Sequence, residues 1–325
     1  MSHIAFLDAQ TLDRGDLDLS ALAGCADRWR RFERTAPSQR HHHIGDAGVV
    51  ITNKCVIDAS VLEACPEIAL INVVATGVNN VDLEAAAARN VTVSNCRGYG
   101  TEAVSQHAIM LMLALCTRLP DYQTAVRTGR WTQSPDFCLL DYPIRELADQ
   151  TLVIVGYGAL GQAVAEKARA FGMTVLLSER PGVDVPRTGR VSWLEALARA
   201  DILSLHCPLT AATRAMIDRE ALGRMKPDAL LINTARGGLI DEPALAEALR
   251  IGRIGGAGLD GLSSEPPVDG NVLLDPGLPN LIVTPHSAWG SRAARQRIVD
   301  QSVENIRAWQ SGAPIRCVTG SQQGA

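Results

Sequence analysis

The chain has 325 residues, of which 46% are hydrophobic and 20% charged, and its formal net charge is −4 at pH 7. This length allows two domains, each with its own core, and the composition is that of an ordinary globular protein. The weak negative charge gives no electrostatic reason to expect nucleic acid or an anionic membrane as a partner.

The cysteines and the first residues favour a cytoplasmic protein. The eight cysteines include no C-x-x-C pair and lie mostly in apolar stretches, as expected for thiols in a reducing compartment. The first ten residues, MSHIAFLDAQ, have no basic region followed by an apolar core, so we expect no secretion signal. The longest apolar run, residues 108–116, is too short to span a bilayer.

Residues 1–101 alternate between short apolar runs and helical stretches. This alternation predicts a smaller, flavodoxin-like α/β domain with a parallel sheet flanked by helices. The predicted strands are residues 4–7, 48–52, 68–74 and 91–93, and the predicted helices include 60–64 and 82–89.

Three consecutive histidines, His41, His42 and His43, raise the question of a metal site. They cannot all face one ion, and no acidic or cysteine cluster accompanies them. We therefore expect a surface loop here, and no metal.

Residues 75–82, ATGVNNVD, follow the third predicted strand. Small and glycine residues at the carboxyl end of a parallel strand expose backbone amides, which can bind a carboxylate. A plain loop that ends in a helix cap at Asp82 explains the same residues as well. Spacing alone leaves both interpretations open.

A long helix is predicted over residues 101–118, with Thr101 as its N-cap and Glu102 in its first turn. Apolar residues surround this helix almost completely, so it should be buried. We expect His107 within it to be a satisfied core or interface histidine. The irregular, aromatic stretch that follows, residues 127–144, is a candidate dimer arm or pocket lid.

Residues 151–161, TLVIVGYGALG, carry a glycine-rich turn. An apolar run typical of a strand buried on both faces meets glycines in the pattern G-x-G-x-x-G. Gly156 allows a tight turn, Gly158 lets backbone approach a pyrophosphate, and Gly161 lets the following helix lie close to its strand. The first amides of that helix stabilise an anion.

A second strand, residues 174–178, is followed by Glu179, roughly 20 residues past the glycines, where a dinucleotide site places an acid for the ribose hydroxyls. A carboxylate there repels a 2′-phosphate, which favours NAD over NADP. Arg180 beside it offers the opposite possibility, because an arginine can accept that phosphate. A solvated charge at a strand end is the remaining interpretation of Glu179.

The same alternation continues towards the end of the chain. Further strands are predicted at 202–206, 229–233, 254–259 and 281–283, with helices at 192–199, 218–224, 242–250 and 291–311. Together they predict a doubly wound, parallel-sheet Rossmann domain, in which ligands bind at the carboxyl ends of the strands. We assign residues 102–290 to this dinucleotide-binding domain and residues 1–101, completed by 291–325, to a substrate domain.

Polar side chains that follow successive strands should meet in one crevice. These side chains are Arg236, Asp260, Glu265 and His286. Reduction of a carbonyl beside a nicotinamide needs a cation for the substrate carboxylate, a proton donor that titrates near neutrality, and a carboxylate that orients this donor. Arg236, His286 and Glu265 supply one of each, although each residue alone also fits a structural role.

Asp260 and Cys207 have other expected roles at this crevice. Asp260 is a candidate acceptor for the nicotinamide carboxamide. Cys207 ends a buried strand and has no base assigned to it, so we expect it to line the cofactor pocket rather than act as a nucleophile.

These motifs resemble those of the D-isomer-specific 2-hydroxyacid dehydrogenases, most closely the glycerate dehydrogenase/hydroxypyruvate reductase branch. The similar stretches cover nearly the whole chain and include ATGVNNVD, VSQHAIMLMLAL, VGYGALG, HCPLT, INTARGGLIDE, LDGLSSEPP and TPHSAW. The resemblance implies a homodimer that uses NAD(H) to interconvert a short 2-keto acid and its D-2-hydroxy acid. Hydroxypyruvate with D-glycerate and glyoxylate with glycolate are the leading pairs. A phosphite- or formate-type dehydrogenase and an NAD-sensing, corepressor-like binding protein are the alternatives on this fold.

The resemblance also implies residue roles. Arg236 would bind the substrate carboxylate and carbonyl, His286 would donate the proton, and Glu265 would orient and charge the imidazole. The other substrate contacts would be the amides of Thr76, Gly77 and Val78. The cofactor contacts would be Gly156, Gly158, Ala159, Leu160, Gly161, Glu179, Cys207, Pro208, Thr213, Thr234, Ala235 and Asp260.

The chain departs from the branch at two positions near these contacts. Gly261 stands where the branch usually carries valine, and Ser287 where it usually carries isoleucine. We expect both departures to affect the pocket for the substrate's side chain rather than the chemistry.

Overall fold

A computed structural model of the chain describes residues 3–318. The chain separates into two compact units, the first comprising Met1–Gly100 and Trp289–Ala325 and the second Thr101–Ala288. Both are α/β units built on parallel sheets, as predicted. No helix among residues 3–318 is long and apolar enough to cross a membrane.

The first unit has a five-stranded parallel sheet with the order β2-β1-β3-β4-β5. Its strands are β1 (His3–Phe6), β2 (Arg28–Arg31), β3 (Val49–Thr52), β4 (Leu70–Val73) and β5 (Thr92–Ser94). Its helices are α1 (Ser20–Ala23), α2 (Arg40–Ile44), α3 (Ala59–Ala64), α4 (Leu83–Ala88) and α11 (Arg292–Gln310). This strand order is that of flavodoxin, which confirms the predicted architecture.

The sequences of the central strands explain why this sheet is covered on both faces. β3 (VVIT) and β4 (LINV) are buried along their whole length, as expected for strands inside a parallel sheet. Helix α11 covers one face, where its Ile298 and Ile306 join the core cluster that contains Phe6. The C-terminal helix therefore completes the core of the first unit.

Two expectations for this unit were wrong. The edge strand β2, with the sequence RWRR, was not predicted, because its charged residues hide the apolar alternation of a strand and its ends stay exposed. The three histidines lie in the short helix α2 rather than in a loop. The ring of His43 stacks on Phe32 with a centroid separation of 3.8 Å. Among residues 3–318, no group of His, Cys, Asp or Glu is placed to hold a metal ion.

The second unit has a six-stranded parallel sheet with the order β11-β10-β9-β8-β6-β7. Its strands are β6 (Thr151–Val155), β7 (Thr174–Leu177), β8 (Ile202–Leu205), β9 (Leu230–Asn233), β10 (Gly256–Asp260) and β11 (Leu281–Thr284). A single parallel bridge between Ser178 and Val191 extends the sheet beyond β7. With that bridge counted as a third strand, the order is 3-2-1-4-5-6, the Rossmann order, followed by one further strand.

The helices of this unit flank the sheet. They are α5 (Thr101–Cys116), α6 (Leu119–Arg127), α7 (Ala159–Ala170), α8 (Trp193–Arg199), α9 (Arg219–Arg224) and α10 (Glu242–Arg250). Helix α5 is buried, as predicted, with Leu111 and Leu115 in one core cluster with Ile154 of β6. It differs from the prediction at both ends. Thr101 is its first residue rather than its cap, and the helix stops before Arg118, whose φ of +53° is incompatible with a continuing helix.

Candidate active site

The glycine-rich turn between β6 and α7 is shaped by close backbone contacts. Gly156 has a φ of +93°, and a β-carbon there would lie 2.7 Å from the backbone of His206 and Cys207. A β-carbon on Gly161 would overlap the carbonyl oxygen of Gly156. The position of a Gly158 β-carbon, in contrast, has no atom within 4 Å. The turn is therefore packed tightly against backbone at Gly156 and Gly161 and is open at Gly158.

The surroundings of this turn fit a dinucleotide. The first intrahelical bond of α7 runs from Gln162 N to Gly158 O at 2.9 Å, so the amides of Ala159, Leu160 and Gly161 have no partner within the helix. Such amides at a helix N-terminus bind phosphate. In the described part of the chain, Thr234 Oγ1 is buried without a hydrogen-bond partner, as a polar ligand contact would require.

His206 lies at the end of β8, where its backbone contacts the glycine turn. Its Nε2 is 2.8 Å from Ser204 Oγ, and its buried Nδ1 has no partner among residues 3–318. Burial lowers the pKa of His206 to about 4, so the imidazole is neutral near pH 7. This residue was not singled out from the sequence.

The loop after β8 contains three of the predicted cofactor contacts. Thr213 Oγ1 donates a hydrogen bond of 2.7 Å to Pro208 O, which holds the loop in a compact turn. Burial raises the pKa of Cys207, so its side chain is a thiol rather than a nucleophilic thiolate. Both observations agree with a loop that lines the cofactor pocket rather than one that reacts.

Glu179 lies just past the end of β7 and is held by an arginine from the same loop. Its side chain is 2% exposed, and Arg187 Nη2 donates a hydrogen bond of 2.6 Å to its Oε1. The hydrogen bond from Arg187 is the largest of the effects that lower the pKa of Glu179 to about 2. The carboxylate is therefore ionised at every pH at which the protein would be assayed.

An imidazole and a carboxylate form the closest polar pair of the predicted catalytic set. His286 Nδ1 lies 2.6 Å from Glu265 Oε2, and each side chain is about one-third exposed, at 37% and 36% respectively. The other carboxylate oxygen, Glu265 Oε1, accepts a hydrogen bond of 2.9 Å from the amide of Leu262. A carboxylate on Nδ1 fixes the tautomer and the orientation of the ring.

The backbone of His286 has a φ of +52°, which is uncommon outside glycine, and Asp260 holds the turn around it. Asp260 is 5% exposed. Its Oδ1 accepts hydrogen bonds from Thr284 Oγ1 at 2.7 Å and from Ser287 N at 2.8 Å, and its Oδ2 accepts one from Ala288 N at 2.9 Å. The sequence indicated Asp260 only as a cofactor contact and gave no sign of these hydrogen bonds.

His107 of α5 joins the same network. Its Nε2 lies 2.9 Å from Thr284 Oγ1, so it is a satisfied core histidine, as predicted. Burial lowers its pKa, and this effect exceeds the opposing effect of the nearby Asp260 carboxylate.

A second buried acid, Glu242, holds the loop that carries Glu265. It is the first residue of α10 and is 9% exposed. Its carboxylate accepts hydrogen bonds from Ser263 N at 2.7 Å, Ser263 Oγ at 2.6 Å and Asn271 Nδ2 at 2.8 Å. No signal in the sequence distinguishes Glu242, because an acid in the first turn of a helix is common.

Arg236 follows β9 and lies beside that loop. A β-carbon on the next residue, Gly237, would overlap the backbone of Leu262 and Ser263, so the two segments touch through their main chains. The Arg236 side chain is exposed, and Nη1 donates a hydrogen bond of 2.8 Å to Ala235 O. Among residues 3–318, no carboxylate lies within ion-pair distance of this guanidinium, which leaves its planar donors available for an anion.

The predicted carboxylate-binding loop lies in the first unit, at the carboxyl end of β4. Thr76 Oγ1 donates to Cys96 O at 3.0 Å, and Asn95 Nδ2 donates to Thr76 O at 2.7 Å. Within residues 3–318, no acceptor is bonded to the backbone N–H groups of Thr76, Gly77 and Val78. Asp82 caps α4 through Ala85 N at 3.0 Å, so the helix cap and the unbonded amides occur together.

The chain is similar to proteins of one enzyme family. The family model described as D-isomer specific 2-hydroxyacid dehydrogenase, NAD binding domain, matches residues 109–288. A glycerate dehydrogenase of Methylorubrum extorquens is 44% identical over 97% of this chain and 98% of its own length. A hydroxypyruvate reductase of Blautia hydrogenotrophica is 37% identical over 97% of this chain and 99% of its own length. The crystal structure of the TT0316 protein from Thermus thermophilus has a TM-score of 0.84 at 35% identity, and the match covers 98% of this chain and 100% of that one.

The family model covers more than half of the chain, and the two relatives match it almost from end to end. The matched region contains the glycine turn, Arg236, Glu265 and His286. The chain therefore belongs to the D-isomer-specific 2-hydroxyacid dehydrogenases, enzymes that use NAD to interconvert 2-keto acids and D-2-hydroxy acids.

Proposed function

We propose that this enzyme interconverts hydroxypyruvate and D-glycerate, and glyoxylate and glycolate, with NAD(H). The observation that carries the chemistry is the 2.6 Å distance between His286 Nδ1 and Glu265 Oε2. The loop that carries Glu265 is in close backbone contact with Gly237, the residue after Arg236. The names of the relatives that are 44% and 37% identical, a glycerate dehydrogenase and a hydroxypyruvate reductase, support these substrates.

Bound NAD(H) supplies or accepts the hydride. We propose that the second unit holds it, with the pyrophosphate on the amides of Ala159 and Leu160 above Gly156, Gly158 and Gly161. Cys207, Pro208 and Thr213 line the adenine side, and Glu179 faces the adenosine ribose. Thr234, Ala235 and Asp260 lie on the nicotinamide side. The open space at Gly158 and the buried, unpartnered Thr234 hydroxyl support this placement.

Arg236 binds the substrate. Its guanidinium offers two parallel N–H donors to the carboxylate and polarises the adjacent carbonyl oxygen. The backbone amides of Thr76, Gly77 and Val78 have no acceptor among residues 3–318 and can bind a carboxylate, which is the reason to assign the first unit to the substrate. Arginine at position 236 thus selects 2-keto acids over simple ketones.

His286 moves the proton. In reduction, its Nε2 donates a proton to the oxygen that was the carbonyl, and in oxidation Nε2 takes that proton from the hydroxyl. Glu265 holds Nδ1–H, so the ring presents Nε2 to the substrate.

Steady-state kinetics with a panel of 2-keto acids and NADH test this function. We expect the highest kcat/KM for hydroxypyruvate or glyoxylate and no turnover of ketones without a carboxylate. Arg236→Ala should abolish turnover with NADH binding nearly intact, whereas the control Arg199→Ala on α8 should leave both unchanged. Equal turnover by Arg236→Ala, or oxidation of formate or phosphite instead, would overturn the proposal.

We also propose a cytoplasmic homodimer formed through the second unit. Residues around α6 and the irregular segment after it expose large apolar side chains, including Phe137 at 91%, Leu140 at 80% and Ile144 at 55%. Exposed apolar surface of this kind marks an interface. Light scattering should show a dimer that Phe137→Ser with Leu140→Ser dissociates, whereas Leu194→Ser, at an equally apolar exposed site on α8, should not.

A further inference from the structure

Every acceptor site of the Glu179 carboxylate is already used within its own loop. Oε1 accepts hydrogen bonds from Arg180 N at 2.9 Å and from Arg187 Nη2 at 2.6 Å. Oε2 accepts hydrogen bonds from Arg187 N at 3.3 Å and from Arg187 Nε at 2.6 Å. A carboxylate has about four lone-pair sites, so this one has no acceptor left for a ribose hydroxyl.

The ion pair also removes the charge that would repel a phosphate. The two side-chain bonds from Arg187 form a fork on the carboxylate, which is the strongest geometry for such a pair. The fork uses two of the five N–H donors of the guanidinium and leaves three for another anion. Arg187 is 57% exposed, so those donors are accessible from solvent.

The rest of the loop adds positive charge. Residues 180–190 contain three arginines against one aspartate, Asp184. Arg190 Nη1 donates to Ser178 O at 2.9 Å, which places its side chain at the end of β7 beside Glu179. The Arg180 side chain is exposed and makes no ion pair with any residue in the range 3–318. With Glu179 neutralised by Arg187, the other two arginines dominate the local field.

We propose that Arg187 makes the adenosine end of the site accept a ribose 2′-phosphate, so that the enzyme binds NADPH as well as NADH. With NADPH, Arg187 stays on Glu179 and turns its remaining donors to the phosphate. With NADH, Arg187 must leave, and Glu179 then accepts the ribose hydroxyls. The Glu179–Arg187 pair thus serves either cofactor, and Arg187 determines the affinity for NADPH relative to that for NADH.

This inference rests on the proposed nucleotide site but not on the substrate, and a binding experiment without turnover tests it. Calorimetry would measure the Kd of adenosine 2′,5′-bisphosphate and of 5′-AMP. For the wild type we expect the two values to agree within about tenfold. For Arg187→Gln we expect weaker binding of the bisphosphate by about tenfold or more, the size of one lost charge-assisted contact, and tighter binding of 5′-AMP.

Two control variants sharpen the result. Arg199→Gln removes an exposed arginine that pairs with Glu195 on α8, and it should change neither Kd. Arg180→Gln removes the neighbouring arginine without releasing Glu179, so it should leave 5′-AMP binding unchanged and weaken the bisphosphate less than Arg187→Gln does. The ratio of kcat/KM for NADPH and NADH should fall in Arg187→Gln in parallel with the binding ratio.

Three outcomes would overturn the inference. In the first, the wild type binds the bisphosphate more than about 100-fold more weakly than 5′-AMP. In the second, Arg187→Gln leaves the ratio of the two Kd values unchanged. In the third, Arg180→Gln weakens bisphosphate binding more than Arg187→Gln does. None of these three outcomes bears on the proposed reaction, which is tested separately by the turnover of 2-keto acids with NADH.

Discussion

Glu265 Oε1 occupies the space that a β-carbon of residue 261 would fill. Gly261 has a φ of +116°, and His286 Nδ1 lies 3.6 Å from the position of that β-carbon. A side chain at position 261 would therefore displace a member of the imidazole–carboxylate pair, and the expected effect on the substrate's side-chain pocket stays a prediction.

We predict that Gly261→Ala displaces Glu265 and lowers kcat by about tenfold to 100-fold, because an acid–base pair contributes about 100-fold or more to such a reaction. Gly270→Ala is the matched control. It has a φ of +82° on the same loop, but no atom lies within 4 Å of its β-carbon position. Steady-state kinetics and thermal unfolding of both variants separate the loss of the pair from backbone strain. Equal kcat values for the two variants would contradict the interpretation.

Proton transfer in reduction should depend on His286 and on the carboxylate that orients it. His286→Gln removes the proton donor, so it should change the shape of the pH profile and lower kcat by about 100-fold or more. Glu265→Gln keeps the size of the side chain but removes the carboxylate from Nδ1, so it should lower kcat by less than His286→Gln does. The measurement is kcat/KM for NADH-dependent reduction between pH 5 and pH 10. A profile that keeps its shape in His286→Gln would identify another proton donor.

Asp260 should act on His286 through the turn that it holds. Asp260→Asn keeps the size of the side chain but replaces one acceptor oxygen by an NH2 group. That group cannot accept the hydrogen bond that the backbone N–H of Ala288 or of Ser287 donates in the wild type. Leaving such a buried donor unpaired costs about 1–3 kcal/mol. We expect a lower Tm together with a lower kcat. Thr284→Val, which removes one hydroxyl donor to the same carboxylate, should have the smaller effect on kcat.

Glu242 should stabilise the loop that carries Glu265. Glu242→Ala removes the acceptor for Ser263 N, Ser263 Oγ and Asn271 Nδ2, and we expect kcat to fall with little change in the KM for NADH. Glu242→Gln keeps one acceptor oxygen for Ser263 N and should recover part of the activity. If both variants retained full kcat, the loop would not depend on Glu242.

His206 should make stability depend on pH. Its pKa is lowered from 6.5 to about 4 by burial, so the unfolded chain binds a proton at this residue before the folded chain does. The contribution of His206 to stability is therefore complete above pH 6.5 and is lost as the pH falls towards 4. The loss is about 3 kcal/mol at most, at about 1.4 kcal/mol for each pH unit between the two pKa values.

Urea unfolding at pH 7.5 and pH 4.5 checks this prediction. The wild type should lose more unfolding free energy between these two values than His206→Gln, in which no imidazole titrates. A matched change at an exposed histidine, His41→Gln, should leave the difference as it is in the wild type.

Strand and helix positions were accessible from the sequence because their causes are local. The apolar runs of β3, β4, β6 and β9 are long enough to show burial on both faces. Asp82, Ser192 and Asp218 cap the helices that follow them, as expected from their residue types. The edge strand β2 was not predicted, because its three arginines hide the apolar pattern of a strand.

The sequence by itself determined the fold class and the glycine turn, because both follow from the spacing of residues along the chain. It also indicated Arg236, Glu265 and His286, because each follows a parallel strand and ligands bind at the carboxyl ends of such strands. Only the tertiary structure decided how those residues are held. Asp260 lies 27 residues from Ser287, Glu242 lies 21 residues from Ser263, and the Glu179–Arg187 pair closes a loop of irregular backbone. The first two contacts join segments that are distant along the chain, and the third lies within one irregular loop. No local propensity or periodicity encodes any of the three.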